Sequence, residues 1–253
     1  MVTRKSRAEI ARMRQAGRIV AEVLALVELE LKPGVTTAHL DRIAERHIRA
    51  AGATPSFKGY GGPRNPFPAS LCISIDHEVV HGIPGERTIR EGQVVSIDAG
   101  AIYEGWHGDA ARTFIVGKPS NGVAKLVETT RMAMMAGIAA AVPGNRIDDI
   151  SGAIEDVATP HAYGIVRQFV GHGIGTEMHQ DPQVPNYRAG GQGRMELVPG
   201  ICLAIEPMLT MGSHEVTVQP DGWTVVTTDG SLAAHFEHTI AVTDHGPEIL
   251  TTI

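Results

Sequence analysis

The 253-residue sequence is poor in cysteine, carries no excess of basic charge and contains no long apolar run. Its two cysteines, Cys72 and Cys202, lie far apart. They fit neither a disulfide framework nor a CxxC metal knuckle, and are expected to stay reduced. The net charge of −6, with a sequence pI near 6.0, argues against a nucleic-acid partner, which usually leaves a basic footprint. No apolar segment approaches the length of a membrane span. The opening stretch, MVTRKSRAEIARMRQAG, is charged and helical in pattern, without the apolar centre of a signal peptide. A cytoplasmic location is therefore the expectation, and the Arg4-Lys5-Ser6-Arg7 cluster reads as a solvated helix entry.

What is present is ordinary for a globular chain: 43% hydrophobic residues and 29 glycines, in a length that suits one large domain or two small ones. Ser6-Arg7-Ala8-Glu9 fits a capping box, followed at helical spacing by Ile10, Met13, Ile19, Val20, Val23, Leu24 and Val27. Pro33-Gly34 ends that helix, and a second runs from about Thr37 to Gly52. A Gly/Pro-rich loop from Thr54 to Pro68 carries Phe57, Tyr60 and Phe67. Leu71 to Ile75 reads as a strand. A long helix over 120–142, ended by Pro143-Gly144, precedes another through Ile147, Ile150 and Ile154. The stretch 224–228 and the stretch 233–242 read as a hairpin.

A repeat runs through this order. PGVTTAHLDRIAE at 33–45 parallels PGNRIDDISGAIE at 143–155, and EGQVVSID at 91–98 parallels PGICLAIE at 199–206. Two stretches at nearly one offset point to duplication. One catalytic domain over 1–253, with halves of roughly 6–118 and 119–253, is the expectation. Asp98 and Glu206 then occupy equivalent places.

The segment QVVSIDAGAIYEGWHGDAARTF, 93–114, reads as a hairpin turning near Tyr103-Glu104-Gly105. One placement of the turn sets Asp98 opposite Asp109, and a shift along the chain sets Gly100 there instead. Because side chains alternate, both carboxylates share a face either way. Two such charges in close approach call for a cation. Three further groups sit at or inside apolar strands: His172 between glycines, Glu206 before Pro207, and Glu237. Four carboxylates with one imidazole suit Mn, Fe, Co or Zn, and that much negative charge suits two divalent ions about 3.5–4 Å apart better than one.

The motifs SIDAGAIYEGWHGDAARTF, VGHGIG followed by EMHQDPQVPNY, LAIEPM, DGWTVVTTDGSLAAHFEHTIAVTD and HGIP cover nearly the whole chain. In these the sequence resembles the type I methionine aminopeptidases, whose pita-bread fold is of α+β type. The resemblance implies two pseudo-symmetric halves forming a curved antiparallel sheet with helices on its outer face. It implies metal ligation by Asp98, Asp109, His172, Glu206 and Glu237. It also implies removal of the initiator methionine from nascent polypeptides, transiently near the ribosome, when the second residue is small. Glu206 is then the general base, His179 contacts the substrate carbonyl and oxyanion, and His81 contacts the scissile amide. Cys72, Phe67, Trp223, Tyr60 and Met178 are candidate walls of a methionine pocket. The sequence departs from the family pattern at Met178, Gln180 and Asp76.

Two other readings belong to the same fold. X-Pro peptidases share the ligand set but usually carry a further N-terminal domain, whereas here the repeat already uses the residues before the Cys72 strand. A non-catalytic binding protein would be expected to have lost ligands, and all five are present. No apolar surface stretch suggests assembly, so a monomer is expected.

Overall fold

A computed structural model describes residues 2–190 and 193–253. Four α-helices are present among them: α1 (Arg7–Glu30), α2 (Thr37–Ala50), α3 (Val123–Ala140) and α4 (Ile147–Ala158). The strands of the first half are β1 (Thr54–Pro55), β2 (Leu71–Ile75), β3 (Glu78–Val80), β4 (Val94–Tyr103) and β5 (Trp106–Ile115). The second half begins with β6 (Gly164–Ile165), β7 (Gly171–Gly173), β8 (Gln180–Val184), β9 (Cys202–Ile205) and β10 (Met208–Thr210). It closes with β11 (Val216–Val218), β12 (Val225–Thr227), β13 (Ala233–His235), β14 (Glu237–Thr243) and β15 (Gly246–Ile249).

The expected capping box opens α1: the Ser6 hydroxyl accepts from the Glu9 N–H, and the Glu9 carboxylate accepts from the Ser6 N–H. The apolar stripe beyond it is buried from Ile10 to Val27. Together α1 and α2 cover one hydrophobic cluster with β2, β4 and β5, including Leu40, Ile73 and Ile97. A second cluster joins α3 and α4 to β9 and β14 through Leu126, Ile150, Leu203 and Ile240. Each helix pair thus caps its own part of one antiparallel sheet, ordered β1-β4-β5-β14-β9-β7-β8, with β2 on β4 and β15 on β14. Two three-stranded sheets flank it, β13-β10-β6 and β11-β12-β3.

The two Pro-Gly turns are tied down identically. Gly34 N–H donates to the Ile89 carbonyl and Ile89 N–H to that of Val35, while Gly144 N–H donates to Leu197 and Leu197 N–H to Asn145. These pairs keep the spacing at which the two sequence stretches repeat.

Where α1 crosses β5, glycines let the backbones touch. A Cβ on Gly108 would lie 2.6 Å from the Gly17 nitrogen, and one on Gly17 would strike the Leu250 carbonyl. Neither obstacle is a flexible side chain, so Gly17→Ala is expected to cost about 1–3 kcal/mol through overpacking. Urea unfolding checks this, and an unshifted midpoint would contradict the seating of α1.

Two expectations need correction. Residues 233–242 do not form one strand paired with 224–228. The chain changes sheet at Phe236, so β13 joins β10 and β14 joins the main sheet, while β12 pairs with β11 and β3. The cause lies opposite, at Pro207, which has no N–H to continue a ladder. Lys5 is not solvated like Arg4, Ser6 and Arg7: it is only 8% exposed. Its Nζ donates to the Thr3 carbonyl (3.3 Å) and to Gln180 Oε1 (3.2 Å). Its backbone N–H donates to Gly200 (2.7 Å), pinning the segment before α1 to the second half. Among the described residues, no helix is long and apolar enough to cross a membrane.

Candidate metal centre

Strand register assembles the site. Tyr103 pairs with Trp106 around the two-residue loop Glu104-Gly105, both at positive φ (48° and 82°), as a type I′ hairpin requires. That turn selects the register with Gly100 opposite Asp109 and Asp98 opposite Ala111. Ala111 in turn pairs with Glu237 on β14. Asp98, Ala111 and Glu237 therefore form one row across three strands, with Asp109 on the same face two residues along. The small Ala111 leaves the space between the carboxylates open.

The second half completes this face. His238 pairs with Ile205 and, beyond the break, Met208 pairs with His235. The same register runs through both, so Glu206 faces Glu237 where each strand is interrupted. His172 pairs with Ala204, two residues before Glu206.

Asp109, His172 and Glu237 each offer a ligand atom, all within 4.8 Å of one another. His172 Nε2 lies 3.4 Å from Glu206 Oε1. The other ring nitrogen, Nδ1, is 2.9 Å from the Gly173 carbonyl, which fixes the proton there and leaves the Nε2 lone pair facing the carboxylates. Asp98 Oδ1, Asp109 Oδ1 and Glu237 Oε1 are buried without a hydrogen-bond partner in the protein. Buried oxygens are rarely left so.

Burial pushes the Asp98 carboxyl up to about 7. Burial first, and neighbouring carboxylates second, hold Asp109, Glu206 and Glu237 well above the usual range. Among the described residues, no Lys or Arg lines this cavity. The donor set thus fits divalent cations: oxygen-rich, with one imidazole presenting its lone pair, and short of positive charge. Burial also pushes His172 down to about 3, keeping it the neutral ring that ligation needs.

The cavity is small, about 100 Å³, and every candidate residue from the sequence lines it. His81 follows β3 at φ 60°, with its ring edge-on to Phe169 and Trp223. Burial lowers it to about 4, so it is neutral near pH 7. His179 lies tilted against His172, with ring centroids 4.2 Å apart and planes at 54°, and shares a 2.7 Å hydrogen bond between its Nδ1 and the Tyr60 hydroxyl. Phe67, Cys72 and Met178 pack with Phe57 and Ala69 into an apolar wall, against which Trp223 sits edge-on to Phe67 at 5.3 Å. Tyr60 is the exposed member, at the rim. Burial, with Asp98 next, raises the Cys72 thiol well above its usual value, which makes it packing rather than nucleophile.

Three lining residues escaped the sequence reading: Phe57, Val80 and His235. Phe57 and Val80 carry only an apolar signal there. His235 stood two residues before Glu237, a spacing that shares a face along a strand, and that was its one available cue. Of the departures from the family pattern, Gln180 accepts from Lys5, and Asp76 accepts from the Val94 N–H and the Gln93 amide.

The model of metallopeptidase family M24 matches residues 11–244. A methionine aminopeptidase of Clostridium acetobutylicum is 54% identical over 99% of both chains. Methionine aminopeptidase 1 of Bacillus subtilis is 47% identical over the full length of both. Among solved structures, methionine aminopeptidase from Thermotoga maritima superposes over the full length of both chains with a TM-score of 0.96 and 42% identity. Prolidase from Pyrococcus furiosus shares the fold at a TM-score of 0.79 and 22% identity, and this chain spans 65% of its length.

Proposed function

The chain belongs to metallopeptidase family M24, and from that membership we propose that it is a metal-dependent methionine aminopeptidase, removing the initiator methionine when the next residue is small. The observation that carries this reading is the convergence of four carboxylates and one neutral imidazole on a cavity walled by Phe67, Cys72, Met178 and Trp223.

Asp98, Asp109, His172, Glu206 and Glu237 would hold two divalent ions, of Co, Mn, Fe or Zn character. When bound, they supply Lewis acidity that lowers the pKa of water and polarises the scissile carbonyl. Glu206 accepts a proton from the attacking water at a carboxylate oxygen and is the general base. His179, steered at Nδ1 by Tyr60, turns Nε2 to the substrate carbonyl and the oxyanion that develops from it. His81, neutral and edge-on to Trp223, contacts the scissile amide, and the proton that Glu206 took from water passes to the leaving nitrogen. The apolar wall takes the methionine side chain, whose flexible thioether suits a small irregular space. The substrates are nascent N-termini, met in the cytoplasm near the ribosome by a monomer.

The test is a peptide panel with metal supplied: Met-Ala-Ser, Met-Lys-Ser and Ala-Pro. Release of methionine from Met-Ala-Ser far faster than from Met-Lys-Ser, with Ala-Pro untouched, is expected. Cleavage of Ala-Pro but not Met-Ala-Ser would transfer the chain to the X-Pro peptidases.

A further inference from the structure

Beyond the five ligand candidates, one more buried polar group faces the cavity and has no role assigned. His235 ends β13 and is 2% exposed. Its backbone is fixed on two sides. It pairs with Met208 of β10, and it exchanges hydrogen bonds with the Thr113 hydroxyl, its N–H donating (2.8 Å) and its carbonyl accepting (2.6 Å). Thr113 is itself joined to the Ser96 hydroxyl at 2.8 Å. The main chain that carries the ring is therefore held in place. Its Nε2 is buried, lacks a hydrogen-bond partner, and lies 3.8 Å from Glu206 Oε2.

His172 has its proton fixed on Nδ1 by the Gly173 carbonyl. Among the described residues nothing ties the His235 proton to Nδ1, so its Nε2 faces the carboxylate with a proton rather than with a lone pair against an anionic oxygen. A movement of roughly 0.8 Å by the ring or the carboxylate brings the pair to hydrogen-bond length. Glu206 has its other oxygen, Oε1, toward His172 Nε2 at 3.4 Å. Its backbone carbonyl accepts from Asn186 Nδ2 at 3.1 Å, so the residue is anchored at the main chain while its carboxylate torsion is left to what touches it.

We propose that His235 is a positioning residue of the metal centre, donating from Nε2 to Glu206 Oε2 and so orienting the Glu206 carboxylate toward the metal. This rests on the reading of Glu206 as a ligand. It adds a donor outside the ligand set, whose work is to fix the rotation of one ligand rather than to bind metal or substrate. It also accounts for a buried nitrogen that would otherwise remain unsatisfied.

The test is Mn2+ binding to the stripped full-length protein, read as free Mn2+ by electron paramagnetic resonance, for wild type, His235→Gln, His235→Asn and His235→Ala. A glutamine amide nitrogen reaches near the position of Nε2, whereas that of asparagine reaches only near Nδ1. Asn and Ala are expected to weaken Mn2+ binding by about 10–100-fold, with Gln close to wild type. At saturating Mn2+ the KM for Met-Ala-Ser should be unchanged, since His235 does not touch the peptide. Equal affinity in all four proteins, or Gln as weak as Ala, would overturn the proposal. A raised KM with unaltered metal affinity would overturn it too, by assigning His235 to the substrate. Should the Ala variant fail to fold, the Gln-against-Asn comparison decides, since both keep a polar side chain of similar size. Wild-type protein that binds no Mn2+ would instead strike at the metal-centre reading itself.

Discussion

Asp109→Asn is expected to lower the kcat for Met-Ala-Ser by more than the roughly 100-fold that loss of an outer partner of a metal ligand costs, while leaving the metal-free fold at least as stable as wild type. The two halves of this result share one cause. The Asp109 carboxylate sits in a cross-strand array with Asp98 and Glu237, and its Oδ1 has no donor within the protein. Among the described residues no donor is placed to stabilise the charge on that oxygen. Replacing it with a neutral group of the same shape removes one of four mutually repelling buried carboxylates, which relieves the metal-free protein. The backbone contributes independently: Asp109 N–H donates to Thr239 Oγ1 (3.0 Å), and that hydroxyl donates back to the Asp109 carbonyl (2.8 Å), neither of which the substitution touches. Steady-state kinetics and a thermal melt together read both effects. Near-full turnover in the variant would remove Asp109 from the metal centre.

Stripping the metal should expose the same repulsion as a dependence of stability on pH. Asp98 has its pKa raised to about 7, and Asp109, Glu206 and Glu237 are raised well above the usual range. In each case the folded state binds its proton more tightly than the unfolded chain does. Between the ordinary carboxylate range and the raised values, the folded protein carries more protons, so stability falls as pH rises. Below about 6.5 the buried, neutral His81 and His172 oppose this slope, because the unfolded chain takes up the protons they refuse. Above it the carboxylates act alone, so stripped protein should lose stability as pH climbs through about 7. Divalent ions take over the work of the protons, so reloaded protein should hold its Tm through the same window. Melts of the stripped and reloaded forms over a pH series check this. A stripped protein with a flat profile would mean that the carboxylates are not forced together as the register implies.

Much of this architecture was legible in the residues because local pattern and global fold agree. The capping box at Ser6, the helical stripe after it and the paired Pro-Gly turns all describe elements that form from near neighbours. The shared face of Asp98 and Asp109 followed from strand alternation alone, without knowledge of the register. What the sequence left open depended on partners far along the chain. The choice between two registers was made by Glu104 and Gly105 both taking positive φ, and glutamate is not a residue from which that is read. The stretch 233–242 looks continuous because nothing in it breaks a strand. The breaker, Pro207, lies opposite it in the fold. Lys5 looked solvated because the groups that satisfy it include Gln180, 175 residues away. His235 was overlooked for a related reason: its meaning comes from Glu206, on another strand.

The alternatives within the fold separate on chemistry rather than shape. Prolidase from Pyrococcus furiosus, at 22% identity, shares the architecture alone, whereas the relatives at 42–54% identity over nearly full length are methionine aminopeptidases. Loss of catalysis would leave no reason to keep four buried carboxylates against one another, given what their burial costs.

The most direct measurement is the rate of methionine release from Met-Ala-Ser by chelator-stripped protein as Mn2+ or Co2+ is titrated back. The account predicts no turnover in the stripped protein and a rise to saturation as the ion is restored, in step with binding. Undiminished turnover without added metal, under continued chelation, would contradict it.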